Sequence, residues 1–306
     1  MEMNASRRSL LALAALAPAW VRASAPAAAE TDPLAPSIAR IRPLFKPKAP
    51  PQPGDWLVDH PEPGQTYEQF RATTPTRAVE KYSTIRIVPI GPLSKGQEIV
   101  FGIVQDFMKA FFGLPLAIDP MAPTDGIPED ARRFQYFEGP DQLLTSYLLN
   151  DVLMKRRQAK DAAVLGITAS DLWPGPGWNF VFGQASLKER VGVWSMARNG
   201  EPDGAADLRK QCALRTVMTA THETGHMFGI RHCKKYECGM NGSNNGDERD
   251  RQPLEFCPEC QPKLWWTLKL DPLDRSRALE AVAKRHGFEK IAHELGQQSA
   301  ALRTRT

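Results

Sequence analysis

The stretch that most limits how this chain can fold reads His222-Glu223-x-x-His226-x-x-Gly229-x-x-His232. Residues four apart share one face of an α-helix, so His222 and His226 reach a common point only if this stretch is helical. Glu223 then stands about 100° round the axis, beside that point rather than on it. Gly229 can take a positive φ and end the helix. The turn it permits swings His232 back as a third imidazole. Three His donors leave the fourth position of a tetrahedral ion open, the donor pattern of a catalytic zinc. In such a centre zinc activates water and polarises a scissile carbonyl, while Glu223 takes the water proton and passes it to the leaving amine. Zinc has no redox chemistry, which suits hydrolysis. A structural zinc on the same histidines is the competing interpretation, and an unliganded carboxylate at Glu223 argues against it.

Four of the five cysteines crowd just after this motif, as Cys233-x4-Cys238 and, eighteen residues on, Cys257-x2-Cys260. Near pairs separated by a loop suit a closed, tetrahedral four-thiolate zinc site. Two local disulfides and a redox Cys-x-x-Cys are the alternatives; the redox case lacks the βαβ start it needs. Cys212 stands alone and reads as a small buried residue. Met240, eight residues past His232, is either a core residue or a methionine placed under the three-histidine site.

The chain has 306 residues, 42% of them hydrophobic, enough for one sizeable core or a core with a small satellite. Its 39 basic and 35 acidic residues are nearly balanced and form no clustered basic footprint for nucleic acid. The N-terminus reads as an export signal over residues 1–29: Arg7 and Arg8, an apolar run from Leu10 to Trp20, then Ala23-Ser24-Ala25 or Ala27-Ala28-Ala29 as the cleavage site. The paired arginines suit a twin-arginine route to the periplasm or the outside; a cytoplasmic location is the alternative. No apolar run approaches the ~20 residues of a membrane span.

Residues 30–80 read as a Pro-rich arm, running extended and pinned by Trp56, Leu57, Tyr67 and Phe70. A folded body follows, with strands at Ile85–Ile90, Leu114–Ile118 and Ala162–Ile167, and helices at Val100–Phe111 and Asp141–Arg157. Asn179–Gln184 and Val191–Ala197 read as a strand pair, although no Gly or Asn marks the turn between them. This order implies a mixed α/β sheet. The histidine helix should start near Pro202–Ala205 and bury Leu214, Val217, Met218, Thr221, Gly225 and Phe228, a stripe of 3.6-residue period. The catalytic part then covers 81–230 and a small, mostly helical C-terminal part 231–296, with helices at Pro262–Leu270, Asp274–His286 and Phe288–Leu295. Gln297–Thr306 shows no apolar pattern and reads as a frayed tail.

Taken together, His222, Glu223, His226, Gly229, His232, Cys233, Cys238, Met240, Cys257 and Cys260 resemble the archaemetzincins, a metzincin branch of the zinc metalloproteases. Gly166-Ile167 through Asp171-Leu172, Asn179-Phe180-Val181-Phe182-Gly183 and Pro53-Gly54-Asp55-Trp56-Leu57 carry the likeness further. The resemblance implies an α/β (α+β) fold with a twisted mixed sheet over the active-site helix. It also implies two zinc ions, one catalytic and one structural on the four cysteines, and a methionine turn at Met240. It implies a cleft bordered by an edge strand at Asn179 to Gln184, where a peptide substrate pairs along Asn179, Phe180, Val181, Phe182 and Gly183. Some metzincins carry a Tyr two residues after the methionine; here that residue is Gly242. The expectation is a zinc peptidase with Glu223 as general base, trimming N-termini or cutting internally. The other readings are a zinc-stabilised peptide-binding protein and a zinc-ribbon-like interaction module in residues 233–270.

Overall fold

The computed structural model describes residues 32–73, 75, 81–134 and 141–303, so the export signal expected over 1–29 lies outside the described residues. From Leu34 onward the chain is one compact unit. The arm is only partly extended. It forms α1 (Ala35–Ile41), α2 (Trp56–Asp59) and α3 (Tyr67–Ala72), the last begun by a Thr66/Gln69 capping box. Residues 46–48 are extended: Lys48 N donates to Lys235 O at 3.1 Å and Glu237 N to Lys46 O at 3.0 Å. Ile41, Tyr67 and Phe70 are buried, so the arm is bound by apolar anchors as well as by backbone bonds.

The strands in chain order are β1 (Thr84–Ile90), β2 (Leu116–Ile118), β3 (Arg132–Arg133), β4 (Gln142–Leu144), β5 (Asp161–Thr168), β6 (Asp171–Trp173), β7 (Gly183–Ser186) and β8 (Val191–Ser195). Five of them form a mixed sheet in the order β2-β1-β5-β8-β7, all parallel except β7, which runs antiparallel to β8. All eight residues of β5 are buried, as a central strand covered on both faces requires. Ala163, Leu165 and Ile167 face one core and Val164 the other, following the two-residue alternation of a strand.

Against the first face pack α4 (Lys95–Phe112) and α6 (Ala206–Met227). Ser94 and Gln97 cap the start of α4, and Gly113, at φ 62°, ends it. The second face is covered by a helical stretch that starts as α5 (Thr145–Tyr147) and continues through a π-helical turn, Leu148–Leu153. The helix expected from Asp141 therefore starts four residues late. Gln142–Leu144 is β4, pairing with β3 and β6 in a second, three-stranded sheet that has no clear signature in the sequence. Gln142, fully buried, donates to Asp171 and to Asn179 O, partners 29 and 37 residues away.

After α6 come α7 (Gly246–Asp250), α8 (Gln261–Leu268), α9 (Pro272–Arg285) and α10 (Glu289–Arg303). The tail expected from Gln297 is, as far as Arg303, the last turns of α10. Its buried face is mostly polar and finds polar partners: Gln298 exchanges amide bonds with Gln261, Ser299 bonds Ser276, and only Leu302 joins Ile41 and Trp265. Hydropathy periodicity cannot register such a face. Among the described residues no helix is long and apolar enough to cross a membrane.

Candidate metal centre

The expected stripe of α6 is buried from Val217 to Phe228, but burial extends well beyond it to Cys212, Thr216, Thr219, Ala220 and Thr224. Threonine hydroxyls inside the helix bond back to carbonyls three or four residues earlier, so small polar side chains add no unsatisfied group to the core. Gly229 takes φ 84° and Ile230 N closes the last turn on Gly225 O at 3.1 Å. Gln65 of the arm holds the turn that follows, donating to Gly229 O and accepting from Arg231 N. The reversal brings His232 to 5.2 Å from His222 and 4.9 Å from His226, ring centre to ring centre.

Each imidazole is oriented through its Nδ1. His222 Nδ1 lies 2.9 Å from Gly239 O, His226 Nδ1 2.7 Å from Ile230 O, and His232 Nδ1 2.7 Å from Glu62 Oε1. All three partners are acceptors, so the proton belongs on Nδ1 and the Nε2 lone pair is left free. The Nε2 atoms of His222 and His226 stand 3.0 Å apart, and the three rings offer donor atoms within 4.8 Å of one another. Converging lone pairs repel unless a cation lies between them, and this donor set fits zinc. Burial, then the neighbouring His232, holds His222 down at about 3, and burial holds His226 well below its usual value; both are neutral at physiological pH, the form a metal ligand needs.

Glu223 is 7% exposed, and burial pushes its carboxyl up to about 8. A bound cation opposes that shift. The space for this side chain is left by Gly183 of β7, where an added Cβ would stand 2.7 Å from Glu223 Cγ and 2.8 Å from Oε1. On the far side of α6, Gly225 makes similar room for Met240: a Cβ there would meet Sδ at 2.6 Å. Met240 is fully buried beneath the histidine turn. Cys233 N donates to Met240 O at 2.7 Å, tying the methionine segment to the residue after His232.

Cys233, Cys238, Cys257 and Cys260 are all buried with their sulfur atoms within 4.8 Å of one another. Cys233 Sγ and Cys257 Sγ stand 3.6 Å apart, far beyond the ~2.05 Å of a disulfide. Met240 N and Cys257 N both donate to Cys238 Sγ, which suits a thiolate. Hydrogen bonds from Cys238 and its neighbours hold Cys233 well below the usual thiol range, while burial raises Cys238 and bonding to Cys233 raises Cys260. A divalent cation is what would allow four thiolates to share this buried space.

The histidines and Glu223 open on a cleft of about 1100 Å³. Asn179 to Gly183 all line it, but not as the expected edge strand. Gly175 and Gly177, at φ 129° and 87°, turn the chain so that Val181 bridges Leu172 of the second sheet, and Asn179 O accepts from Gln142. The open edge is β7, Gly183–Ser186; from the preceding stretch, Phe182 O accepts from Ser195 N. Arg190 supplies the positive φ, 58°, that the hairpin needs and that no Gly or Asn announced.

The arm reaches the same cleft, and here sequence reasoning missed most. Glu62 accepts from His232 and also from Trp56 Nε1. Trp56 packs edge-on to His232 at 5.2 Å and lies tilted by 36° against His60, which in turn lies nearly parallel to Trp178 at 5.5 Å. The backbone N of Trp56 is held by Glu248. Trp56 also accounts for Gly242: a Cβ there would lie 2.4 Å from Trp56 Cδ1, so the tyrosine found in some metzincins is excluded. Only Trp56 carried a signal, through the Pro53–Leu57 likeness; Glu62 and His60 carried none.

Residues 145–265 match the family model for Peptidase family M54, and that span holds Glu223 and all seven candidate ligands. The chain is 34% identical over 271 residues to archaemetzincin-2 of Pongo abelii, covering 77% of this chain and 74% of the relative. The chain belongs to the archaemetzincin family. Archaemetzincin-2 of Homo sapiens is 33% identical over the same shares of the two chains. Archaemetzincin of Methanopyrus kandleri is 43% identical over 106 residues, 35% of this chain and 57% of that one. Its crystal structure matches at TM-score 0.49 with 30% identity, over 62% of this chain and 97% of that one. Archaemetzincins are zinc-dependent peptidases, so the coarse expectation from the histidine motif holds for the family.

Proposed function

We propose that this archaemetzincin is a zinc peptidase of the metzincin type, with one catalytic ion on His222, His226 and His232 and one structural ion on Cys233, Cys238, Cys257 and Cys260. The observation that carries the reading is the convergence of three acceptor-held imidazoles, Nε2 inward, beside a buried Glu223 that is not part of the donor cluster. A zinc ion bound there supplies Lewis acidity toward a peptide carbonyl and toward water. Glu223 accepts the proton of the attacking water and delivers it to the leaving amine. Gly239 O, Ile230 O and Glu62 keep the three rings in the ligating tautomer. Met240 supports the ligand turn from below. The substrate backbone adds to the open edge of β7, one strand beyond β8, rather than to Asn179–Phe182.

The test is digestion of an unbiased peptide library, read by mass spectrometry, with the parent and Glu223→Gln. The parent should cut, and the cut positions decide between N-terminal trimming and internal cleavage. Glu223→Gln should keep zinc and peptide affinity while losing about 10²–10⁴-fold in rate. Elemental analysis should give about two zinc ions, one lost in His226→Ala and the other in Cys257→Ser. A parent that cuts nothing, with Glu223→Gln indistinguishable from it, leaves the protein a zinc-stabilised peptide binder.

A further inference from the structure

Arg249, on α7, is 4% exposed yet lines the same cleft as His222 and Glu223. Its guanidinium lies 4.0 Å over the ring of Phe182, and Phe182 is the chain neighbour of Gly183, against which Glu223 packs. Met218 and Thr219, one turn before Glu223 on α6, line the same cleft. Arg249 is thus linked to the Glu223 side of the cleft through Phe182 and Gly183.

Its charge is poorly met. Nη1 donates to Asn199 Oδ1 at 2.7 Å, while Nε is buried with no hydrogen-bond partner. The carboxylate paired with it, that of Asp250, is at 3.9 Å, beyond hydrogen-bond reach, and is taken by Arg215 through Nε and Nη2. Two arginines and one aspartate leave one positive charge uncompensated. Burying such a charge is costly unless something anionic completes it, and an arginine fork matches a carboxylate. Asn199 adds no charge: its amide bonds Thr216 and Ser195 O, bracing the loop after β8 against α6.

We propose that Arg249 is a specificity residue of the cleft, selecting peptides with a carboxylate next to the scissile bond, whether an acidic side chain or a free C-terminus. This rests on the peptidase reading above for its meaning, but not for its test. An extended peptide on β7 turns alternate side chains to one face, and Phe182, under the guanidinium, is the residue that precedes this strand.

The experiment uses the zinc-loaded full chain and matched peptide pairs: Glu against Gln beside the cut, and C-terminal acid against amide. Two quantities are read for each pair, the ratio of kcat/KM on the parent background and the ratio of Kd on Glu223→Gln. The acidic member of one pair should be favoured at least about tenfold, as expected for a buried charge-assisted pair. Which pair shows the ratio identifies the source of the carboxylate. Arg249→Met should bring that ratio to within twofold of one, and Arg249→Lys should retain part of it. Ratios near one in the parent, or a ratio that survives in Arg249→Met, overturn the proposal. If Arg249→Met does not fold, the parent's ratios and Arg249→Lys still decide it. If no peptide is cut at all, the peptidase reading falls, while the Kd ratios go on testing the subsite.

Discussion

The contact between β7 and Glu223 allows the chemistry to be disturbed without touching a ligand or the base. Gly183→Ala adds one methyl to the edge strand. Built on the present backbone, that Cβ lies 2.7 Å from Glu223 Cγ, 2.8 Å from Oε1 and 2.9 Å from Cδ. An ordinary carbon–carbon contact needs about 3.5–4.0 Å, so the carboxylate must retreat by roughly 1 Å. It has little room, being 7% exposed on a helix packed beneath the sheet. The cost divides between a strained rotamer, about 0.5–1.5 kcal/mol, and local overpacking, about 1–3 kcal/mol. Displacement of a catalytic group by ~1 Å is worth on the order of 10²-fold in rate. The expected outcome is full zinc content, a Tm lower by only a few degrees, and kcat/KM on a neutral library-derived peptide reduced about 10–100-fold. The drop should lie mainly in kcat, because the β7–β8 ladder, Gly183↔Trp194 to Ser186↔Val191, is retained. Parent-like kcat/KM with unchanged zinc would refute the placement of Glu223 against this strand.

Glu62→Gln removes the charged acceptor of His232 Nδ1, and zinc affinity measured against a competing chelator should weaken about 10–100-fold. Unchanged affinity would leave Glu62 with a role only in holding Trp56. In metal-free protein, Glu223 has a folded value raised to about 8 from 4.5, so the unfolded chain ionises first and stability falls as pH rises from about 4.5 to 8. Glu223→Gln should therefore be no more stable than the parent at pH 4.5 and on the order of 3–5 kcal/mol more stable at pH 8, read by urea unfolding. A pH-independent difference would contradict that burial effect. His222 has the opposite sign: held down at about 3, it stays neutral in the fold, and metal-free stability should fall as pH drops from about 6.5 towards 3. His222→Gln should shrink that acid limb and leave the share of His226, which is held down in the same direction.

What the sequence by itself determined was the chemistry of the donor sets. The spacing of His222 and His226 works through one helical turn, and Cys257 and Cys260 are brought together within a single tight turn, Cys260 N to Cys257 O at 2.9 Å. Gly229 and Gly113 announced their helix ends for the same local reason, since each adopts a backbone angle that favours glycine. The central strands and α4 were legible too, because an apolar period survives in any context that buries one face. Tertiary structure alone decided what surrounds the histidines. Glu62 lies 170 residues from His232, Trp56 192 residues from Glu248, and Asn199 50 residues from Arg249, separations over which no pattern in the chain is readable. It also decided the start of the edge strand: Val181 is taken by Leu172, leaving Gly183 as the first residue of β7. The last turns of α10 were hidden because Gln298 and Ser299 are buried by polar partners, which hydropathy counts as exposure. Local geometry repeats wherever the residues recur, whereas these long-range contacts exist only once the whole body has packed and brought their partners within reach.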